Sequence, residues 1–469
     1  MSREVLLHPD RLFPAEPGLR AMARELYEGV CDLPIVSPHG HTDPAWFAEN
    51  MSFADPASLL VIPDHYLLRM LRSVGVDYDV LGVPRAGRAE ADPRDVWRVF
   101  ARHYYLFDGT PSSLWVDHAM QVVLGCEERL CADNADALYD HINDRLASAE
   151  FRPRALLKRF GVETIATTEG ALDPLVHHRK LLADGWIGTV RTTYRPDDVT
   201  DPEVPEFAAN LDRLGEITDT DTAQWDGMIE AHRRRRAEFR RFGATATDHG
   251  AASALTADLS PAEKQELLDG ARAGTLTPVQ CELFRGQMLT EMAGLSVEDG
   301  MVMQIHAGSR RNTDRAMFAA RGPNMGADIP VRMDWVGGLD ALLNRHGDAS
   351  GLRVILFTLD ETAYTRELAP MAGYWPCLML GPPWWFHDSS NGIRRYLDGV
   401  VETAGFANLA GFNDDTRALL SIPARHDVWR REVCGFLARL IAEHRIARAT
   451  ARQLAQDLSA DMARKAYRL

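Results

Sequence analysis

The chain has 469 residues, of which 46% are hydrophobic and 25% are charged, and its formal net charge is −15. This composition is ordinary for a globular protein. It excludes collagen, coiled-coil and largely disordered chains, each of which needs a strong compositional bias. The negative charge argues against a binder of nucleic acid or of anionic membranes, since both need a basic face. The length fits two or three domains, or one α/β barrel with insertions.

The sequence offers no recognisable signal for secretion or membrane insertion. Residues 1–10 lack the apolar core of a signal peptide, and no apolar run approaches the roughly 20 residues of a membrane helix. The six cysteines are scattered without a Cys-x-x-Cys pair, which indicates reduced thiols rather than a zinc ribbon or a disulfide framework. We therefore expect a cytoplasmic protein without a membrane partner.

Short apolar runs alternate with longer helix-like segments along most of the chain. Eight such runs are strand candidates, each apolar or small, as expected for strands that helices cover. Stretches such as 222–242 and 260–290 are helix-like. The alternation predicts an α/β protein with a (β/α)8 TIM-like barrel, although a doubly wound sheet fits the same pattern. The strand candidates are residues 33–36, 163–166, 186–190, 244–247, 301–305, 353–357, 377–380 and 409–412.

Residues 47–159 interrupt this alternation because they contain no convincing strand. Amphipathic runs at 64–74 and 94–105 indicate that the segment is helical. An insertion of this length after the first strand predicts a helical subdomain over the barrel mouth, where loops carry the chemistry. We expect three parts: 1–46 with an N-terminal helix and the first strand, the insertion 47–159, and 160–469 with the remaining barrel and the C-terminal helices.

A candidate metal site follows the first strand. In an extended segment His39 and His41 point the same way, so both imidazoles can reach one ion, and Gly40 leaves room between them. Asp415 follows the last strand candidate, which barrel closure places beside the first, and we expect it to be the third ligand, with Asp414 as the second choice. An alternative is that either aspartate only caps the helix that follows.

Other polar side chains follow further strands or begin the insertion. His306 ends the fifth strand and is a ligand, a substrate contact or a core histidine, and Asp248-His249 after the fourth strand offers the same choices. His65-Tyr66 after Asp64 supplies a proton carrier and a hydroxyl donor, unless Asp64 is only a cap followed by two surface residues.

Arginines and aromatic residues recur in the same loops. Arg195, Arg311 and Arg417 pair well with carboxylates, which points to a small anionic substrate. Trp384 and Trp385 follow the seventh strand and can line a sugar pocket, although core packing accounts for at least one of them. By contrast, the run of arginines at 233–236 is expected to be a solvated helix face.

Taken together and in this order, these motifs resemble the uronate isomerase (glucuronate isomerase) family of the amidohydrolase superfamily. The resemblance covers nearly the whole chain, and its specificity comes from many short segments in one order. The matching stretches are Asp64-His65-Tyr66, Thr167-Thr168, Arg195-Pro196-Asp197, Leu214-Gly215-Glu216 with Asp219-Thr220-Asp221, Asp248-His249, His306-Ala307-Gly308 with Arg311-Asn312, Gly381 with Trp384-Trp385-Phe386 and Asp388, Asp415-Thr416-Arg417, and Arg425-His426.

The resemblance implies an aldose–ketose isomerase that converts D-glucuronate to D-fructuronate and/or D-galacturonate to D-tagaturonate. It implies one divalent metal ion, for which we expect zinc, and a homo-oligomer. By the same carry-over, His39, His41 and Asp415 hold the metal. We assign Asp415, Arg417, His65 and Tyr66 to catalysis. We assign Arg195, His306, Arg311, Trp384 and Trp385 to substrate binding, with a role of His306 as a metal ligand left open.

The chain departs from the family pattern at two places near the site. Ser37-Pro38 stands where members have an acidic residue, and Thr167-Thr168-Glu169-Gly170-Ala171 replaces a Thr-Thr-Asp-Asp-Pro sequence. The expected reaction moves a proton between C2 and C1 through an enediol, with Asp415 as the base, directly or through a water.

A mononuclear metal-dependent hydrolase on the same barrel is the alternative function. A two-metal hydrolase is less consistent with the sequence, because Thr247-Asp248-His249 offers no bridging lysine and 357–360 offers no histidine. A non-catalytic binder on the same scaffold is a third reading, but it would have lost the polar residues at the barrel mouth.

Overall fold

A parallel β-sheet forms the centre of the computed structural model, which describes residues 7–87 and 91–469. Its seven strands pair in the order β1 to β7, and each pair is parallel. Every residue of β5 and β6 is buried, as expected for strands that helices cover. The strands are β1 Ile35–Ser37, β2 Val162–Gly170, β3 Val190–Arg195, β4 Ala246–His249, β5 Val302–Ala307, β6 Val354–Thr358 and β7 Leu378–Leu380.

Helices follow these strands and enclose the curled sheet, which confirms the predicted α/β barrel. A large apolar core lies between sheet and helices and includes Ile305, Leu356 and Leu380. The helices outside the insertion are Pro17–Glu28, Val176–Ala183, Asp197–Thr200, Phe207–Thr218, Trp225–Arg241, Pro261–Ala273, Pro278–Asp299, Arg315–Arg321, Trp335–Gly338, Asp340–His346, Glu361–Ala363, Ala369–Ala372, Ser390–Ala404, Ile422–Ala442, Arg448–Gln456 and Met462–Tyr467.

The third strand candidate, 186–190, was wrong except for its last residue, because only Val190 belongs to a strand. Residues 186–189 form a turn in which the amides of Thr189 and Val190 donate to the carbonyl of Trp186, and β3 begins only at Val190. The strand itself carries buried Thr192 and Thr193, so its β-branched residues rather than its hydrophobicity mark it.

The eighth strand candidate, 409–412, contributes only one bridge, between Leu409 and Leu380. Gly411 has φ +78°, and a Cβ there would lie 2.7 Å from the backbone nitrogen of Ala463. The helix Met462–Tyr467 thus packs directly on this segment, and Ala463 also packs on Val36 of β1. The C-terminal helix therefore fills the gap between the two ends of the sheet.

The insertion is helical, as predicted, with no strand among residues 47–87 and 91–159. The amphipathic runs at 64–74 and 94–105 form the helices His65–Ser73 and Pro93–His103. The insertion's core, with Leu68 and Trp97, is continuous with Ile35 of β1. The helix Pro44–Glu49 leads into the insertion, and the other helices here are Pro56–Leu60, Pro111–His118, Ala135–Ala147 and Pro153–Arg159.

Two helical expectations need correction. The stretch 260–290 is two helices, because Gly274 ends the first at φ +66° and Thr277 begins the second with a capping box. The arginine run 233–236 is not wholly solvated: Arg236 is fully buried and bonds to both carboxylate oxygens of Asp299 at 2.7 and 2.9 Å. In the parts of the chain that the structure describes, no helix has the length and apolarity to cross a membrane.

Candidate active site

The three predicted metal ligands, His39, His41 and Asp415, meet at the carboxyl end of the sheet. Oδ1 of Asp415 lies 3.5 Å from Nε2 of His39 and 3.2 Å from Nε2 of His41. The three donor atoms lie close enough together to hold one cation. His39 is buried, whereas His41 is about one quarter exposed and opens toward solvent.

The backbone brings the two ends of the barrel together at this point. The amide of His41 donates to the carbonyl of Thr416 at 3.0 Å, which ties the loop after β1 to the loop after the eighth segment. Gly40 sits between them, and a Cβ there would lie 3.4 Å from the same carbonyl. Asp415 adopts φ +38°, a conformation that is rare for a residue with a side chain and that aims its carboxylate at the histidines.

Asp415 is held in its ionised form. Burial alone would raise the pKa of this carboxyl, but His39 and His41 together lower it well below its usual range. Neither aspartate caps a helix: the turn Leu419–Ser421 begins after Ala418 without a side-chain cap, so the capping alternative is wrong. Asp414 instead accepts a hydrogen bond from Nε2 of His426 at 3.1 Å.

His306 belongs to a chain of polar contacts that links three strands. Its Nδ1 lies 2.7 Å from Oδ1 of Asp248, and Oδ2 of Asp248 accepts a hydrogen bond from Arg195 at 2.8 Å. Burial opposes the ionisation of Asp248, but Arg195 and His306 hold its pKa well below the usual range. The ionised Asp248 therefore accepts a hydrogen bond from Nδ1 of His306, which leaves Nε2 of the ring on the side of the site.

Arg195 forms hydrogen bonds within the protein that the sequence did not predict. Its Nε donates to Asp197 at 2.7 Å and its Nη1 to Asp248 at 2.8 Å, so two carboxylates already share the guanidinium. His249, which the sequence left open, lies 3.0 Å from Oγ1 of Thr247 through its Nε2 and is a core histidine.

One cavity of about 810 Å³ collects every predicted site residue. Its size suits a small substrate with room for water. The predicted residues that line it are His39, His41, His65, Tyr66, Arg195, His306, Arg311, Trp384, Trp385, Asp415 and Arg417.

His65 and Tyr66 enter this cavity from the insertion. Asp64 does cap the helix, accepting hydrogen bonds from the amides of Tyr66 at 2.8 Å and Leu67 at 3.2 Å. The two residues that follow are nevertheless not on the outer surface, because their stacked rings face the cavity. Burial and the nearby Arg417 lower the pKa of His65 to about 3, so its imidazole is neutral at physiological pH.

A loop after β5 carries Arg311 at the mouth and contacts Arg417 from the loop after the eighth segment. Ser309–Arg310 pairs with Ile329–Pro330, and the residues between them cover one side of the cavity. Asn324 of this loop accepts a hydrogen bond from Arg417 at 3.0 Å. Arg311 contacts Asp328 at 3.3 Å and lies over the ring of Trp385, 5.4 Å from its centroid.

The two tryptophans have different environments. Trp384 is buried and its ring packs edge-on against His306, with centroids 4.8 Å apart, as expected for a core contact. Trp385 is only partly buried and adopts φ +49°, an outlier for a bulky residue. This backbone conformation presents its ring to His65, at a centroid distance of 5.2 Å.

The fold brings to the site several residues for which the sequence predicted no role. Asp388 and Arg425 form a buried ion pair in the cavity wall, and Arg425 stacks on Trp115 at 3.5 Å. Both residues lie in stretches that resemble the family, and this resemblance could have marked them as site residues. Gln304 was also detectable, because it lies two positions before His306 and therefore on the same face of β5. Asn324 carried no such signal.

A model of the glucuronate isomerase family matches residues 18–467. The chain belongs to this family. The uronate isomerase of Xanthomonas axonopodis pv. citri (strain 306) is 56% identical over 465 residues, which cover 99% of this chain and 98% of the relative. The family assignment makes the protein an isomerase and sets the hydrolase alternative aside.

Solved structures agree with this assignment. The glucuronate isomerase of Caulobacter crescentus superposes with a TM-score of 0.97 at 52% identity, covering 99% of this chain and 98% of the other. The uronate isomerase of Thermotoga maritima superposes with a TM-score of 0.91 at 26% identity, covering 98% and 99%. The fold is therefore shared along essentially the whole length.

Proposed function

We propose that this isomerase converts D-glucuronate to D-fructuronate and/or D-galacturonate to D-tagaturonate. One observation carries the proposal: an ionised Asp415 between two histidines faces the same cavity as Arg311, Arg417 and the His65–Tyr66 pair. A hexuronate needs this combination, because it carries a carboxylate at one end and loses a proton at the other.

The residues fit one divalent ion, and we propose zinc. Nε2 of His39 and Nε2 of His306 are both buried without a hydrogen-bond partner among the described residues, as expected for ligands whose ion must satisfy them. His39 is shared by two groups of possible ligands, one with His41 and Asp415 and one with Asp248 and His306. The first group combines imidazole nitrogens with a carboxylate, as zinc sites do. When bound, the ion orients the substrate and offsets negative charge.

The reaction requires one proton to leave C2 and another to reach C1. We propose that Asp415 accepts the C2 proton of the open-chain aldose while the oxygen on C1 takes a proton from the donor that contacts it, which gives an enediol. Asp415 then returns its proton to C1, and the proton that leaves the oxygen on C2 restores the donor. Tyr66 or His65 stabilises the oxygen at the other carbon by donating a hydrogen bond. Burial raises the pKa of Tyr66 above its usual range, so its hydroxyl keeps its proton as a donor.

The arginines bind the substrate carboxylate and offset the negative charge that develops during the reaction. Arg417 and Arg311 have donors facing the cavity and bind the substrate carboxylate, while Trp384 and Trp385 wall the sugar. Arg195 also lines the cavity, where its positive charge offsets developing negative charge, and it holds the Asp248–His306 pair. His306 contacts the substrate or completes the ligand set.

The broader assignments are proposals of the same kind. We propose a cytoplasmic homo-oligomer with no nucleic-acid partner, and a division of the chain into 1–46, 47–159 and 160–469. The helix Pro153–Arg159 ends at the second of these boundaries and supports it. The first boundary falls within the helix Pro44–Glu49, and the core of the insertion is shared with β1.

The test is conversion of D-glucuronate and D-galacturonate, followed by NMR, with and without prior chelation. A keto product of unchanged mass from either sugar supports the proposal, and the ratio of rates names the preferred substrate. Absence of conversion of both sugars by metal-loaded protein would contradict it.

A further inference from the structure

The ion pair of Asp388 and Arg425 has no part in the proposed reaction so far, although both side chains line the cavity. They are only 11% and 4% exposed. A buried ion pair adds little stability, because the loss of hydration offsets most of the attraction between the charges. Arg425 is also the fourth residue of the helix Ile422–Ala442, where the positive end of the helix dipole disfavours a cation. Stability alone is therefore a poor explanation of this pair.

The local backbone does not use the carboxylate of Asp388, which stands just before the helix Ser390–Ala404. That helix is capped by Ser389, whose Oγ accepts a hydrogen bond from the amide of Gly392 at 3.0 Å. Oδ2 of Asp388 accepts a hydrogen bond from Nη1 of Arg425, and Oδ1 has no donor within the described part of the chain. One oxygen of a cavity-lining carboxylate is therefore available to a ligand.

Arg425 is fixed in one orientation by its neighbours. Its guanidinium carbon lies 3.5 Å from the centroid of the Trp115 ring, and its Nε donates to Oγ of Ser421 at 3.3 Å. A guanidinium has more N–H groups than Ser421 and Asp388 use, and the described residues supply no acceptor for the others. Burial opposes the charge of Arg425, but Asp388 and other nearby groups more than offset this and raise its pKa, so the group remains a cation. A cation of fixed position therefore also has donors available to a ligand.

An acceptor and a donor side by side match a hydroxyl group, because a hydroxyl donates one hydrogen bond and accepts others. A carboxylate does not match them, since Asp388 would repel it. Burial raises the pKa of Asp388 to about 7 and Arg425 acts against this rise, so at pH 8 the carboxylate is mostly ionised. The pair is therefore complementary to the hydroxyl groups of a sugar chain rather than to its acidic end.

The pair also lies beside a residue that is proposed to act on the substrate. The guanidinium carbon of Arg425 is 5.8 Å from the centroid of the Tyr66 ring. In the proposed reaction Tyr66 contacts an oxygen on C1 or C2, whereas Arg311 and Arg417 bind the carboxylate on C6. The hydroxyl groups on C3, C4 and C5 lie between these two ends of the substrate.

We propose that Asp388 and Arg425 form a subsite that binds a hydroxyl group on C3, C4 or C5 of the substrate. Oδ1 of Asp388 accepts a hydrogen bond from this hydroxyl, and an N–H of Arg425 donates to its oxygen. This inference rests on the proposed function and adds a specificity-determining pair to it. The two residues hold the sugar chain in place and take no part in the proton transfers.

The test measures kcat/KM at pH 8 for the wild type and Asp388→Asn, on the converted uronate and on its 3-deoxy, 4-deoxy and 5-deoxy derivatives. In Asp388→Asn the amide oxygen keeps the bond to Arg425, and an NH2 group takes the place of the oxygen that accepts from the substrate. We expect kcat/KM for the intact uronate to fall about tenfold or more, as for a hydrogen bond to a charged group. On at least one derivative the variant should come within about twofold of the wild type, because the hydroxyl that it fails to bind is missing.

Comparing two proteins on the same sugar cancels the differences in ring opening between sugars, and a derivative that binds without being converted is compared through its inhibition constant. Glu432→Gln is the matched control. Glu432 is buried and forms an ion pair with Arg394 between the helices Ser390–Ala404 and Ile422–Ala442, but neither residue lines the cavity. This variant also loses a buried charge, and its kcat/KM should stay near the wild-type value on every sugar.

A loss that persists on all the deoxy derivatives, or no loss on the intact uronate, would overturn the subsite while leaving the proposed function intact. A wild type that converts neither D-glucuronate nor D-galacturonate would contradict the proposed function, and this inference with it. If Asp388→Asn does not fold, Asp388→Asn combined with Arg425→Gln takes its place, because this pair of substitutions leaves no unpaired buried charge, and the same comparison applies.

Discussion

Asp415 combines an unusual backbone with an unusual electrostatic environment. Its φ of +38° is strained for a residue with a Cβ, and such strain persists only where the surroundings enforce it. Here the bond between His41 and Thr416 holds the backbone, while the two imidazoles hold the charge. The strained backbone lowers local stability, but it places the carboxylate where the imidazoles keep it ionised inside the protein.

We expect Asp415→Asn to lower kcat by at least about a thousandfold, because the amide can neither take the C2 proton nor bind a cation as a carboxylate does. The fold should persist, since the amide is the same size. Steady-state kinetics with circular dichroism checks both statements. Asp144→Asn, at an exposed position, is the matched control. Near-normal turnover of Asp415→Asn would remove this residue from the mechanism.

At this scale, residue type and position in the barrel were enough to predict much of the site. His39, His41 and Asp415 meet as expected, because each follows a strand at the same end of the sheet. What could not be predicted is which hydrogen-bond partners each of these side chains has. That Arg195 is shared by Asp197 and Asp248 depends on loop geometry, and no spacing in the sequence specifies it.

The loop between Ser309–Arg310 and Ile329–Pro330 is fixed to the insertion rather than free over the cavity. Arg321 forms an ion pair with Asp79 and donates to the carbonyl of Val83 at 2.6 Å. The hydroxyl of Tyr78 donates to the carbonyl of Met325 at 2.7 Å. The insertion therefore supports the loop, and through Asn324 the loop supports Arg417.

Arg321→Ala should release this loop and weaken substrate binding. Losing the Asn324–Arg417 hydrogen bond costs about 1.5 kcal/mol, which corresponds to a rise of about tenfold in KM. We also expect faster proteolysis within 311–330. Arg315→Ala, on the exposed side of the same helix, should change neither. Unchanged KM and unchanged cleavage in Arg321→Ala would show that the loop is held by other contacts.

Elements were predicted well where hydrophobicity marks them and poorly where other factors do. The buried runs of β5 and β6 stood out as apolar, whereas β3 begins where the apolar run ends because its buried positions are threonines. The stretch 409–412 has the composition of a strand, but the helix Met462–Tyr467 occupies the space that a pairing partner needs. Such competition between distant segments is not visible in a local pattern.

The stability of the whole molecule should vary with pH because of one buried acid. Glu169, at a departure from the family pattern, is buried beside Thr192 and His178, and burial raises its pKa to about 8. Its ordinary value is 4.5. Between these values the unfolded chain has released the proton and the folded chain has not, so stability falls as pH rises.

Glu169→Gln should flatten this fall, which amounts to about 1.4 kcal/mol per pH unit at most. Urea unfolding at pH 5, 6, 7 and 8 measures the free energy of unfolding of both proteins. The exposed Glu150→Gln is the control and should keep the wild-type slope. Parallel curves for wild type and Glu169→Gln would mean that Glu169 is ionised in the folded protein.

The closure of the barrel by Met462–Tyr467 also has a consequence for biosynthesis. This helix lies some 425 residues after β1, and at about 5–20 residues per second a ribosome makes it roughly 20–85 s later. Throughout that interval the outer edge of β1 has no covering element, which leaves a nascent strand edge open to wrong partners. The growing chain therefore presents this strand edge to solvent until its last helix has been made.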